Sequence, residues 1–175
     1  MSHVALLGDS MFDNASYVSD RFSVIELLKK TLPQDWEATL LAVDGSVSVD
    51  VLKQLPRLAP DTSHIVISCG GNDALQASGI VQESVETIDE ALCRLADMRE
   101  EFSQQYRQVL TLARQACAQV SVCTIYDAIP DLSRVLRTAL ALFNEVILRE
   151  ASIAQIPVID LRVICDVPAD YSSIS

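Results

Sequence analysis

Three short clusters hold the residues of this chain best suited to chemistry: Gly8-Asp9-Ser10-Met11, Asp44-Gly45-Ser46 and Gly70-Gly71-Asn72-Asp73. They contain four of the five glycines, and each follows an apolar run that reads as a buried strand. Glycine at strand ends, in a chain otherwise sparing with it, marks places where backbone comes close to something else. A serine, a glycine and an asparagine converging at one edge of a parallel sheet would make a nucleophile with an oxyanion hole. Serine chemistry also needs a base, and the two histidines, His3 and His64, stand at the starts of predicted strands. At about 3.3 Å per residue, either strand carries its histidine about 20 Å from the glycine-rich ends, so neither is expected to serve Ser10 in the same subunit.

The elements that must position these residues alternate. Apolar or β-branched runs predict strands at Val4–Leu7, Ala38–Val43, Ile65–Cys69, Val120–Ile125 and Val158–Leu161. Helical spacing predicts helices at Phe22–Leu32, Val49–Leu55, about Ser84–Ala118 and Leu132–Ile153, with Pro33 and Pro56 ending the first two. Strands joined by helices and apolar on both faces imply a parallel sheet covered on two sides. A flavodoxin-like α/β three-layer sandwich, with a five-stranded parallel sheet in the order 2-1-3-4-5, is the expected topology. In that order the ends of the first three strands lie side by side, where ligands of open α/β sheets bind.

Composition limits the alternatives. The chain has 175 residues, half of them apolar, enough for one domain with a proper core. Its net charge is −11, and Glu83, Glu86, Asp89, Glu90, Asp97, Glu100 and Glu101 crowd the middle helix. Such a surface repels phosphate backbones and anionic lipid, so neither nucleic acid nor membrane is expected as a partner. Cys69, Cys93, Cys117, Cys123 and Cys165 are odd in number and lack CxxC or Cys/His ligand spacing. They read as reduced, small hydrophobic residues. The start shows no basic segment followed by a long apolar one, and a cytoplasmic location is expected. No cofactor motif such as GxGxxG or GxxxxGK[ST] is present, and no metal or cofactor is expected.

In order and spacing the three clusters resemble the first three blocks of the SGNH, or GDSL-type, hydrolases. The resemblance runs from Met1 to about Leu161 and includes Phe143-Asn144-Glu145 and Pro157-Val158-Ile159-Asp160-Leu161. It implies that Ser10 is the nucleophile of a serine ester hydrolase. The oxyanion would be held by the Ser10 N–H, the Gly45 N–H and the Asn72 side-chain amide. The implied substrate is a small ester, thioester or O-acetylated carbohydrate. The family's fourth block is Asp-x-x-His, where this chain reads Asp166-Val167-Pro168-Ala169-Asp170-Tyr171-Ser172-Ser173-Ile174-Ser175.

Three readings of that departure stay open: a chain cut short of the block, a binding protein that keeps the pocket, or Asp170-x-x-Ser173 as a degenerate form. The last would place serine where a base is needed, which serine cannot be at neutral pH. A closing helix after the fifth strand is expected to be missing, which would leave an apolar face for a partner subunit, as in a homo-oligomer.

Plainer roles exist for the same residues. Ser10 suits a helix N-cap, Asn72 and Asp73 suit an Asx turn, and Asp9 suits a buttress of the turn. Trp36, Tyr106 and Tyr126 read as packing residues, with Tyr126-Asp127 near the pocket rim. Two alternatives of different class follow: a catalytically silent module binding an acyl or carbohydrate ligand in the same cleft, and a phosphate or nucleotide binder using the glycine turns.

Overall fold

The computed structural model describes residues 2–18 and 21–167. Five strands, β1 (Ser2–Gly8), β2 (Trp36–Leu40), β3 (His64–Ser68), β4 (Gln119–Cys123) and β5 (Val158–Ile159), form one parallel sheet in the order β2-β1-β3-β4-β5. The helices are α1 (Val24–Thr31), α2 (Ser48–Gln54), α3 (Gly71–Ala77), α4 (Ile88–Ala116), α5 (Arg134–Ile153) and the short α6 (Leu161–Ile164).

The strand period of two explains why β1 is apolar throughout. Ala5 and Leu7 join Ile65, Ile67, Val120 and Val122 against Val51 of α2, Tyr106 and Val109 of α4, and Val146 and Ile147 of α5. Val4 and Leu6 point the other way, toward Ile25 and Leu28 of α1. Each such side chain, fully buried, stabilises by about 1.5–3 kcal/mol. Helix starts follow their caps: the Glu26 carboxylate accepts from the Ser23 N–H at 2.9 Å, Thr87 Oγ1 accepts from the Glu90 N–H at 3.1 Å, and Ser133 Oγ accepts from the Leu136 N–H at 3.2 Å.

Several boundaries differ from the sequence reading. The second strand was expected to reach Val43 but ends at Leu40. There the Leu6 carbonyl accepts from both Leu41 and Ala42 N–H, at 2.8 and 3.0 Å, so the ladder is interrupted before Val43 rejoins it at the Gly8 carbonyl. The fourth strand stops at Cys123 rather than Ile125. The fifth stops at Ile159 because Asp160 caps the turn of α6 through the Arg162 N–H (3.2 Å). The long middle helix begins at Ile88, after its Thr87 cap. Helix α3 forms where the spacing predicts no helix. Asp170, Ser173 and the place of a closing helix lie outside the described residues.

Candidate active site

The site begins with a backbone contact that only glycine allows. Gly8 ends β1 at φ +124°, and a Cβ on it would sit 1.7 Å from the Ser68 carbonyl oxygen of β3. The buried Gln54 side chain of α2 fixes the same residue from the other side: its Oε1 accepts from the Gly8 N–H at 2.8 Å and its Nε2 donates to the Gly8 carbonyl at 2.9 Å. Asp9 then donates its N–H to the Ser68 carbonyl (3.1 Å), while its own carbonyl accepts from the Phe12 and Asp13 N–H groups, each at 3.1 Å. Its carboxylate accepts from the Met11 N–H at 3.1 Å. Asp9 therefore caps and buttresses this turn, and half-buried Ser10 stands on the crest.

The third cluster is built in the same way. Gly70, at φ +112°, lets the chain turn from β3 straight into α3, and its carbonyl accepts from the Ala74 N–H. Asn72, in the first turn of α3, donates Nδ2 to the Ser46 carbonyl at 2.9 Å. A primary amide has two N–H bonds, and this contact uses one of them. The next residue, Asp73, accepts from the Ser48 N–H at 2.9 Å and from Ser48 Oγ at 2.6 Å, stitching α3 to the start of α2. The loop carrying Gly45 (φ +78°) is tied to the Ser10 loop by the Asp44 N–H on Asp13 Oδ2 (2.9 Å) and by the Tyr17 hydroxyl on Asp44 (2.8 Å). Among the described residues, the Ser10 and Gly45 N–H groups donate to no protein group.

Ser10 and Asn72 open into one cavity of about 280 Å³, together with Asp9, Cys69, Thr124 and Tyr126. Its walls are apolar: Leu75 of α3, Ile80, Met98 of α4, Leu132, and Leu140 and Phe143 of α5. Gly45 is not among the lining residues. It borders a separate open depression with Asp44, Ser46, Lys53 and Arg57, and the link to the Ser10 cavity is the Asn72 amide on the Ser46 carbonyl.

One carboxyl, that of Asp9, lines the cavity. Burial pushes the Asp9 carboxyl up to about 7; the Met11 N–H opposes this, and the Asp73 and Asp44 carboxylates add to it. Burial likewise raises Asp73, against its Ser48 hydrogen bonds, and drives the Cys69 thiol well above its ordinary value, with Asp9 contributing. No lysine, arginine or histidine lines the cavity among the described residues.

The histidines are placed as the strand arithmetic expects. His3 pairs Nδ1 with Asp61 (3.0 Å) and Nε2 with Thr39 Oγ1 (2.6 Å). His64 contacts Ser63 Oγ at 2.9 Å and stacks on Trp36, with ring centroids 4.9 Å apart. Both belong to the opposite edge of the sheet from Ser10. Tyr106 is fully buried and Tyr126 lines the cavity.

Two residues to which the sequence assigned no role position the site. Asn144 Oδ1 accepts from the Ile125 N–H at 2.8 Å and its Nδ2 donates to the Ile125 carbonyl at 2.9 Å, fixing the cavity wall after β4. Gln54 does the same for Gly8. The available signal in both cases was a polar residue on the apolar face of a helix, beside Val51 and Leu55 for Gln54 and among Leu140, Phe143 and Ile147 for Asn144.

The model of the GDSL-like lipase/acylhydrolase family matches residues 6–173 of the chain. Among solved structures, an extracellular lipase from Streptomyces rimosus is 22% identical with a TM-score of 0.63, over 93% of this chain and 81% of that one. A lipase/acylhydrolase from Enterococcus faecalis is 19% identical with a TM-score of 0.66, over 97% and 82%. The acetyl xylan esterase AlAXEase is 16% identical with a TM-score of 0.63, over 97% and 85%. At these identities the likeness shows a shared fold. No curated protein sequence matches the chain. No helix among the described residues is long and apolar enough to cross a membrane.

Proposed function

We propose that this chain, which belongs to the GDSL-like lipase/acylhydrolase family, is a serine ester hydrolase acting through an acyl-enzyme on Ser10. One observation carries the reading: Ser10 and Asn72, from different strand ends, open into one apolar cavity. The Ser10 hydroxyl oxygen attacks the ester carbonyl carbon while its proton passes, through solvent water, to the oxygen of the departing alcohol; the carbonyl oxygen becomes the oxyanion. The Ser10 N–H, the Gly45 N–H and the second N–H of the Asn72 amide are its donors. The carbon–oxygen bond to the alcohol then breaks, the alcohol leaves with a proton, and water releases the acid from Ser10.

The cavity also favours one kind of substrate. With the Asp9 carboxyl and, among the described residues, no cation in its lining, it suits a neutral ester rather than a free carboxylate or phosphate, which disfavours the phosphate-binding alternative. Walls of leucine, isoleucine, methionine and phenylalanine suit an acyl chain better than an acetylated sugar. Each methylene buried there is worth about 0.8 kcal/mol, or about four-fold in affinity. Octanoyl esters are therefore expected to bind better than acetyl esters.

A second reading is favoured by one observation. Both histidines are engaged at the far edge of the sheet, so no imidazole within the chain reaches Ser10. The same cavity could then hold an acyl ligand without turning it over, since a triad lacking one member keeps only about a thousand- to ten-thousand-fold catalysis over water. Hydrolysis of p-nitrophenyl acetate and octanoate near neutral pH, by the chain and by Ser10→Ala, separates the two. A Ser10-dependent rate that rises with acyl length supports the hydrolase. Equal background rates refute it, and saturable binding of an octanoyl amide would leave the binding module.

A further inference from the structure

The sheet has a second convergence of polar side chains at its opposite edge, about 17 Å from Gly8 at 3.3 Å per strand residue. Parallel register sets His3 of β1 beside Glu37 of β2, with Thr39 two residues further along the same face. The turn into β3 is fastened to this corner: the His3 N–H donates to Ser63 Oγ at 2.8 Å, and the Ser63 N–H donates to the His3 carbonyl at 2.9 Å. Asp61 is thereby held against the imidazole, its Oδ1 3.0 Å from Nδ1. One ligand atom each from His3, Glu37 and Asp61 lies within 4.8 Å of the other two.

The burial of the three is unequal. The His3 ring is enclosed, at 5% exposure, while both carboxylates are open to solvent. Among the described residues neither carboxylate is paired with a lysine or an arginine. A single proton at Nδ1 can serve one carboxylate and leaves the other facing a like charge. A doubly charged cation serves both.

We propose that His3, Glu37 and Asp61 bind a divalent transition cation, zinc foremost, which clips together the amino ends of β1 and β2 and the turn before β3. An imidazole nitrogen with two carboxylate oxygens selects zinc and its neighbours over magnesium or calcium, which take oxygen ligands alone. Metal–ligand bonds of about 2.1 Å at tetrahedral angles place neighbouring ligands about 3.4 Å apart. The His3–Asp61 pair is already near that edge length, and exposed Glu37 needs only to turn its side chain. The fourth position is left to water. With the cation on Nδ1 the ring proton sits on Nε2, and Thr39 Oγ1, 2.6 Å away, is placed to accept it and so to hold the Nδ1 lone pair on the cation. Thr39 is thus a positioning residue.

The test uses the full chain, stripped with chelator and titrated with Zn²⁺ by calorimetry and thermal denaturation. Co²⁺ then gives a spectroscopic reading of coordination. One bound equivalent, a raised melting temperature and the intense visible bands of four-coordinate Co²⁺ are expected. Asp61→Asn and Glu37→Gln change exposed side chains and leave the core intact; each should weaken binding at least ten-fold. Thr39→Val should cost about ten- to a hundred-fold. Ser10→Ala should bind as the parent does. Equal Zn²⁺ affinity in the parent, Asp61→Asn and Glu37→Gln would put the cation elsewhere, for example on exposed Cys93, and would overturn the proposal. So would the absence of saturable binding.

Discussion

Replacing Asp9 by asparagine isolates one charge, because the asparagine Oδ1 still accepts the Met11 N–H that the carboxylate holds at 3.1 Å. Burial raises the Asp9 carboxyl from 3.8 to about 7. A carboxyl with a raised folded-state value stabilises most below its unfolded value, and this contribution is lost as pH rises through the folded value. Below pH 4 the parent keeps that contribution in full; between 4 and 7 the native state holds a proton that the unfolded chain releases. The total is about 4 kcal/mol at 1.36 kcal/mol per pH unit. Between pH 5 and 8 the parent should therefore lose about 3 kcal/mol that Asp9→Asn does not. Urea denaturation of both proteins at several pH values reads this directly. The difference in unfolding free energy between variant and parent should grow with pH and level off near pH 8. Parallel curves from pH 5 to 8 would show that Asp9 ionises as in water, and would refute the argument from burial.

Other perturbations separate scaffold from chemistry. Gly8→Ala places a methyl group 1.7 Å from the Ser68 carbonyl oxygen at a left-handed φ, and should cost more than about 4 kcal/mol, read as loss of a cooperative thermal transition. Asn144→Ala strips both backbone partners from buried Ile125. It should destabilise by about 2–5 kcal/mol, measured by urea unfolding. Asn72→Ala should lower the Ser10-dependent esterase rate about a hundred- to a thousand-fold. Its stability should fall by only about 1 kcal/mol, the worth of the Ser46 hydrogen bond.

The covered parallel sheet was legible in the sequence because Val4–Leu7 and Ile65–Ile67 are apolar on both faces. The glycine clusters marked the edge where Ser10 and Asn72 meet, since Gly8 and Gly70 adopt backbone angles that side chains disfavour. Local signals failed where the deciding partner is distant. Helix α3 was hidden because it opens on Gly70-Gly71, and glycine is a poor helix former, yet the Asp73 bonds to Ser48 hold its first turn. Gly45 looks equivalent to the other two glycines in sequence but borders a separate depression. The clamps by Gln54 on Gly8 and Asn144 on Ile125 join segments far apart in the chain, as does the His3–Glu37–Asp61 corner, and no spacing rule reaches them.

Whether Ser10 is a nucleophile is read by intact-mass spectrometry after treatment with a fluorophosphonate bearing an octyl chain. One adduct per chain is expected, mapped to the peptide containing Ser10 and absent from Ser10→Ala. An unmodified parent chain, or equal labelling of parent and variant, would contradict that role.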